Sequence, residues 1–151
     1  MKLKPTRHPS QNQGFTLLEV LIAITIVVIL GSVVGINLID MPQRGRQNAA
    51  KLQLGNFKTA VQIYVNDNRF PPTQRQGLEA LVRKPATPPI PENFPPNGYL
   101  DSHSVPKDPW GRDYAYLCPG SHGESFEIIC YGADGEEGGD GFNSDLSTTT
   151  P

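Results

Sequence analysis

Hydrophobic positions are concentrated in one long block near the start of this chain and thin out afterwards into short, turn-bounded groups. From Gly14 to Leu30 the sequence reads GFTLLEVLIAITIVVIL, apolar except at Thr16, Glu19 and Thr25. The apolar character continues more loosely to Ile39. About 20 apolar residues suffice to cross a bilayer as a helix, so residues 15–39 are expected to span a membrane. From Arg44 to Asn66 the pattern changes. Leu54, Phe57, Val61, Tyr64 and Val65 recur at helical spacing on one stripe, while Lys51, Gln53, Lys58 and Gln62 fall largely off it. This half predicts an amphipathic helix packed on its own domain. Pro42, between the halves, lacks an N–H and predicts a kink or break. Taken together, a helix from Phe15 to Asn66 would be roughly 78 Å long.

Beyond the helix the pattern is that of a small head. Pro71 and Pro72 end the helix. Thr73, with Gln76 three residues on, has the spacing of a capping box for a short helix over Gly77–Val82. The proline-rich stretch from Lys84 to Pro96 reads as a surface loop wrapping the head, because too little chain follows for a second domain. Asp108-Pro109-Trp110-Gly111 is turn chemistry, and Trp110, the single tryptophan, is expected to plug the core. Asp113–Leu117 and Ser125–Tyr131 are β-rich, and Pro119-Gly120-Ser121-His122-Gly123 between them predicts a hairpin. The expected fold class is α+β: a long N-terminal helix packed on an antiparallel sheet of about three short strands.

Composition sharpens this picture. The chain has 151 residues, room for one domain plus an anchor. Hydrophobic content is 37%, and much of it sits in the one block, so the head has a small core. With 15 Gly and 15 Pro, the body is expected to be rich in loops. Residues 1–14 carry Lys2, Lys4 and Arg7 and no acid. Beyond them, 10 of the 13 basic residues face all 15 acidic ones, a formal charge of −5. Such a body offers no basic patch for nucleic acid. The basic flank is expected to stay cytoplasmic, which puts the body on the far side of the membrane. An apolar core that follows a polar, basic leader also differs from a secretory signal peptide, whose apolar core precedes the cut.

Glu19 is the residue that a passive anchor would not contain. A carboxylate within a lipid-facing helix costs at least a few kcal/mol. No Lys or Arg lies between Phe15 and Ile39, so a cationic partner must come from elsewhere. If the chain is cut after Gly14, Phe15 acquires a free α-amine one helical turn from Glu19 and on the same face. In a stack of identical helices, the amine of one subunit could then neutralise Glu19 of the next.

The box Gly14-Phe15-Thr16-Leu17-Leu18-Glu19, after a short basic leader and before a long apolar helix, resembles the class III leader junction of type IV pilins and pseudopilins. The resemblance implies that a membrane-embedded aspartic prepilin peptidase cuts between Gly14 and Phe15 and N-methylates Phe15. It also implies that Phe15 and Glu19 are the assembly residues. Further along, Phe70-Pro71, Gln76-Gly77-Leu78, Ala80-Leu81, Lys107-Asp108-Pro109-Trp110-Gly111 with Tyr114, and Gly132-Ala133-Asp134-Gly135 together resemble the major pseudopilins of type II secretion systems. A pilin-like fold is implied, with a cleaved leader over 1–14, a filament-core helix over 15–39 and a periplasmic head over 40–151. So is a single-pass inner-membrane protein that is not an enzyme. It would assemble as a helical homo-oligomer, with minor pseudopilins and an inner-membrane assembly platform as partners, and drive export of folded proteins. A type IV pilin of a surface fibre is the alternative, although such pilins usually have a larger body and a C-terminal disulfide loop. A signal-anchored periplasmic binding protein or enzyme that uses calcium is a reading from a different class.

The acidic loop from Tyr131 to Asp145 is the second chemical feature, dense in oxygen ligands of the kind Ca²⁺ takes. Asp134 and Asp145 bound a window with Gly139 at its sixth position, a partial match to an EF-hand, but Gly138 stands at the fifth position and Asp at the last. A loop closing around one calcium is what the pseudopilin resemblance implies, with Tyr131, Asp134, Asn143 and Asp145 as the ligands and Asp140 and Glu137 as further candidates. A disordered acidic tail is the bland alternative. Cys118 and Cys130 could form a disulfide in the periplasm or remain two buried thiols. In the expected hairpin Cys118 opposes about Ser125. His8, His103 and His122 are scattered and suggest no zinc site. No Ser-His-Asp pattern, P-loop or dinucleotide fingerprint appears.

Overall fold

The computed structural model describes residues 14–149, and the backbone alone for 32–39. Its first element is a helix, α1, Leu17–Asn68, of 52 residues. Thr16 caps it: the Thr16 hydroxyl accepts the Glu19 N–H at 3.2 Å, and the Thr16 carbonyl accepts the Val20 N–H at 3.2 Å. Thr16 and Glu19 thus have capping-box spacing, with an acid in the first turn where the helix dipole favours it. At the other end Asn68 donates to the Tyr64 carbonyl at 3.1 Å, and Arg69 turns into the left-handed region at φ 72°. Pro71 and Pro72 follow, as expected. The break expected at Pro42 does not occur, and α1 runs through it. Proline removes one rung of the ladder, and the bonded turns on either side keep the helix together.

The chain divides into two compact units, one ending at Asp40 and one beginning at Met41. In the first, the apolar side chains from Leu17 to Leu30 are exposed, Leu17 at 87%. Among the described residues no helix is long and apolar enough to cross a membrane. The span expected over 15–39 includes 32–39, whose side chains lie outside the described residues, as does the leader before Gly14.

In the second unit α1 buries Ala50, Leu54, Phe57, Ala60, Val61 and Tyr64. This is the stripe read from the sequence, with Val65 at its edge. Leu78, Leu81, Tyr114, Tyr116, Ile128 and Cys130 complete the core. Phe57 meets Tyr114 edge to face at 5.0 Å between centroids. Three strands form one antiparallel sheet in sequence order: β1 (Ala115–Leu117), β2 (Glu127–Cys130) and β3 (Leu146–Ser147). Ala115 pairs with Ile129, Leu117 with Glu127, and Cys130 with Leu146. β1 and β2 are shorter than their β-rich stretches. Asp113 and Tyr114 precede β1, after the turn expected at Asp108–Gly111, in which the Asp108 N–H donates to the Arg112 carbonyl at 2.8 Å; Lys107 pairs with Asp113 at 3.1 Å.

The Thr73–Gln76 box forms in both directions, at 2.9 and 3.3 Å, and introduces the short helix expected there, a 3-10 turn over Leu78–Leu81. The proline-rich loop lies on the head. Gln76 donates to the Thr87 and Pro89 carbonyls, Pro91 is fully buried, and the Asn93 N–H reaches Asn68 Oδ1 at 3.2 Å. Trp110 sits at the rim of the core, its indole N–H on Gln43 at 3.2 Å.

Candidate functional site

Two regions carry the chemistry singled out in the sequence. In the first unit, no atom of the described residues lies within 4 Å of where a Cβ on Gly14 would project. Phe15 is 82% exposed. Glu19 follows one turn later, its backbone N–H capped by Thr16 and its side chain exposed. Among the described residues its carboxylate has no ion pair. The junction is accessible, and the lone acid stands on an uncovered apolar surface.

In the second unit, the loop from Tyr131 to Asp145 is folded by its own polar groups. The Gly135 N–H donates to the Tyr131 carbonyl at 2.9 Å, and the Glu136 N–H to Asp134 Oδ1 at 3.2 Å. Across the loop, the Ala133 N–H reaches the Phe142 carbonyl at 2.9 Å, and the Gly138 N–H reaches Asp145 Oδ2 at 2.9 Å. Gln47 of α1 donates to the Gly141 carbonyl at 2.7 Å. A short 3-10 turn, Gly141–Asn143, closes the far side. Gly132 and Gly139 press on the Asn143 carbonyl: a Cβ on either would come within 2.5 and 2.8 Å of it, and both have positive φ.

Of the four expected ligands, Asp145 is the one held inward. Its Oδ1 is buried and has no hydrogen-bond partner among the described residues. Asp134 and Asn143 are exposed, and Tyr131 is half-buried. The loop's acids do not converge as a group of three. Among the described residues such a group is His122, Glu124 and Glu127, whose ligand atoms lie within 4.8 Å of one another. His122 is therefore not isolated, as its spacing in the sequence suggested. The oxygens of Glu127 are already engaged, however. Ser121 donates through its N–H at 3.0 Å and through its hydroxyl, and Ser147 and Thr149 donate at 2.6 and 2.9 Å. Burial pushes the Glu127 carboxyl up, and these bonds outweigh it and hold it at about 2.

Both cysteines are free thiols. Cys118 donates to the Ser125 carbonyl at 3.3 Å, the neighbour expected from the hairpin. Cys130 lies buried 3.6 Å from Asp108 Oδ2, and burial, with the Asp108 charge adding to it, pushes its thiol up to about 11. Arg112 was missed in the sequence. Its guanidinium points at the acidic loop, and the only local sign was its place directly after the Asp-Pro-Trp-Gly turn.

Two family models match the chain. One, described as type II secretion system (T2SS), protein G, covers residues 37–149; the other, the prokaryotic N-terminal methylation motif, covers residues 9–35. The type II secretion system core protein G of Vibrio cholerae is 44% identical over 133 residues, 88% of each chain. That of Pseudomonas aeruginosa is 39% identical over 136 residues, 90% of this chain and 94% of the relative. A crystal structure of the major pseudopilin from the type 2 secretion system of enterohaemorrhagic Escherichia coli matches with a TM-score of 0.64 at 32% identity, over 76% of this chain and 96% of that one. With its head and its N-terminal motif both matched, the chain belongs to the protein G family of type II secretion systems.

Proposed function

We propose that this chain is a major pseudopilin, the repeating subunit of a periplasmic pseudopilus that drives export of folded proteins. The observation that carries the reading is the tip of α1: an exposed apolar surface bearing one carboxylate, a turn after an open Gly14–Phe15 junction. Such a surface must be covered by lipid or by other helices. Cleavage at the junction supplies the amine that Glu19 lacks, and N-methylation of Phe15 accompanies it. The subunit waits as a single-pass inner-membrane protein with its head in the periplasm. The assembly platform then stacks it into a helical homo-oligomer, tipped by minor pseudopilins. The alternative, a surface type IV pilin, would usually have a larger body and a C-terminal disulfide loop, and both cysteines of this chain are free thiols.

Calcium fits the Tyr131–Asp145 loop. The buried Oδ1 of Asp145 has no hydrogen-bond partner among the described residues and is an acceptor a cation could use, and a buried carboxylate oxygen without a partner is costly. Asp145 would hold the ion with Asp134, Asn143 and Tyr131, and backbone carbonyls would complete the set that Ca²⁺ prefers. When bound, calcium supplies the positive charge that draws the two halves of the loop together. Intact mass with N-terminal peptide mapping of protein from its native membrane tests the assembly reading. A species starting at methylated Phe15 is expected. A chain still starting at Met1 would remove the partner amine of Glu19 and the reading with it.

A further inference from the structure

We infer that Arg112 is a resident cation of the acidic loop: a positioning residue that holds the backbone of its first half in calcium-ready form and leaves the side chains of Asp134 and Asp145 for the metal. This rests on the calcium reading of the loop given above. The Arg112 guanidinium donates to three successive carbonyls, Gly132 at 3.1 Å, Ala133 at 3.0 Å and Asp134 at 2.9 Å. Three convergent carbonyls are an arrangement that would otherwise serve a metal ion. The planar fork of arginine matches several acceptors at once, which a lysine ammonium does not.

The rest of the geometry serves this placement. The Arg112 N–H donates to Asp108 Oδ1 at 2.8 Å, and the Arg112 carbonyl accepts the Asp108 N–H at the same distance. The backbone of Arg112 is thereby clamped by the turn before β1. Asp108 also accepts the Trp110 N–H at 2.9 Å, which ties that turn to the rim of the core. On the loop side, Gly135 lets the arginine lie flat against the chain: a Cβ at that position would stand 2.5 Å from Arg112 Nε. A guanidinium and a calcium ion repel each other on shared carbonyls. The metal is therefore directed away from the 132–134 carbonyls, to the Asp134 side chain and to the unpaired Asp145 oxygen across the loop.

Two effects of removing Arg112 oppose each other, so the sign of the result decides. If the arginine positions the loop, its loss loosens the loop and weakens binding. If it merely adds repulsion, its loss strengthens binding. The experiment compares the full chain in detergent micelles with Arg112→Ala and Arg112→Lys. It uses calorimetric titration with CaCl₂ and hydrogen exchange of the 132–136 amides in metal-free buffer. For Arg112→Ala we expect calcium binding weaker by about tenfold or more, as is usual for the loss of an outer partner of a metal site. We also expect faster exchange confined to those amides, while the rest of the head keeps its protection. Arg112→Lys is expected to rescue only part of either effect. Unchanged exchange in Arg112→Ala, or tighter calcium binding, overturns the inference. If the unaltered chain takes up no calcium, the metal reading fails on its own, and the exchange data still decide whether Arg112 organises the loop.

Discussion

Replacing Glu127 by Gln takes a charge out of a buried clasp without changing its shape. Glu127 is 3% exposed, and its oxygens collect donors from Ser121 in the hairpin turn and from Ser147 and Thr149 at and beyond β3. Its carboxyl is lowered from 4.5 to about 2. At 1.36 kcal/mol per pH unit, this amounts to about 3 kcal/mol of folding stability at neutral pH. A carboxyl group with a depressed folded-state pKa contributes fully above its unfolded value and loses that contribution as the pH falls towards the folded value. The contribution is therefore intact above about pH 5, falls to about 1 kcal/mol at pH 3 and is nearly gone at pH 2. In Glu127→Gln the hydroxyls of Ser147 and Thr149 can turn to accept from the amide, so most hydrogen bonds survive and the charge alone is lost. The expected cost is about 2–3 kcal/mol at pH 7, or roughly 10 °C in Tm for a head of this size. The assay is thermal unfolding of both forms by circular dichroism in metal-free buffer from pH 7 to pH 2. Other carboxyl groups titrate in both proteins and cancel in the difference. A gap as wide at pH 3 as at pH 7, or no gap at pH 7, would refute the reasoning.

Other outcomes follow from the same geometry. Phe57→Ala empties the centre of the core and loses the edge contact with Tyr114; a loss of about 3–5 kcal/mol is expected by urea unfolding. Glu19 belongs to the first unit and not to the core of the head, so in Glu19→Ala the Tm of the head should stay the same while pseudopilus assembly, followed by electron microscopy and by exoprotein release, is abolished. Gly132→Ala forces a Cβ to within 2.5 Å of the Asn143 carbonyl at φ 54°; it should cost about 1–3 kcal/mol and loosen the loop, read as faster proteolysis between residues 131 and 145. Chelating calcium should lower the Tm of the unaltered chain, by about 2.7 kcal/mol of stability relative to a concentration 100 times the Kd, and an unmoved Tm would count against the metal.

Local patterns in the sequence predicted what local chemistry decides. The α1 stripe of Leu54, Phe57, Val61 and Tyr64 is the buried face, because helical period and core contact are the same constraint. The Thr73–Gln76 box formed as its spacing required, although the segment it introduces winds as a 3-10 turn. The hairpin placed Cys118 against Ser125 and away from Cys130. What escaped was non-local. β3 is two residues long and has no alternation to announce it; it exists because Cys130 finds Leu146 across the acidic loop. Glu127 reads as one polar position in a strand, and two of its four donors come from residues 20 and 22 positions further on. Arg112 serves carbonyls 20 to 22 residues away. Pro42 does not break α1, because a single missing rung does not outweigh the turns on both sides of it.

The uncovered face of α1 also fixes the route by which a subunit can travel. Eleven aliphatic side chains between Leu17 and Leu30 are 47–87% exposed. At about 1–2 kcal/mol each, keeping them in water costs on the order of 15 kcal/mol, as much as the whole stability of an ordinary domain. A subunit therefore cannot be withdrawn from lipid, pass through solvent and then dock. In the assembly proposed above it would slide sideways from acyl chains onto neighbouring helices, exchanging one apolar surrounding for another. On such a route the hydrophobic term is nearly equal at both ends, so filament growth would be decided by small polar differences, of which the proposed pairing of Glu19 with an amine is one.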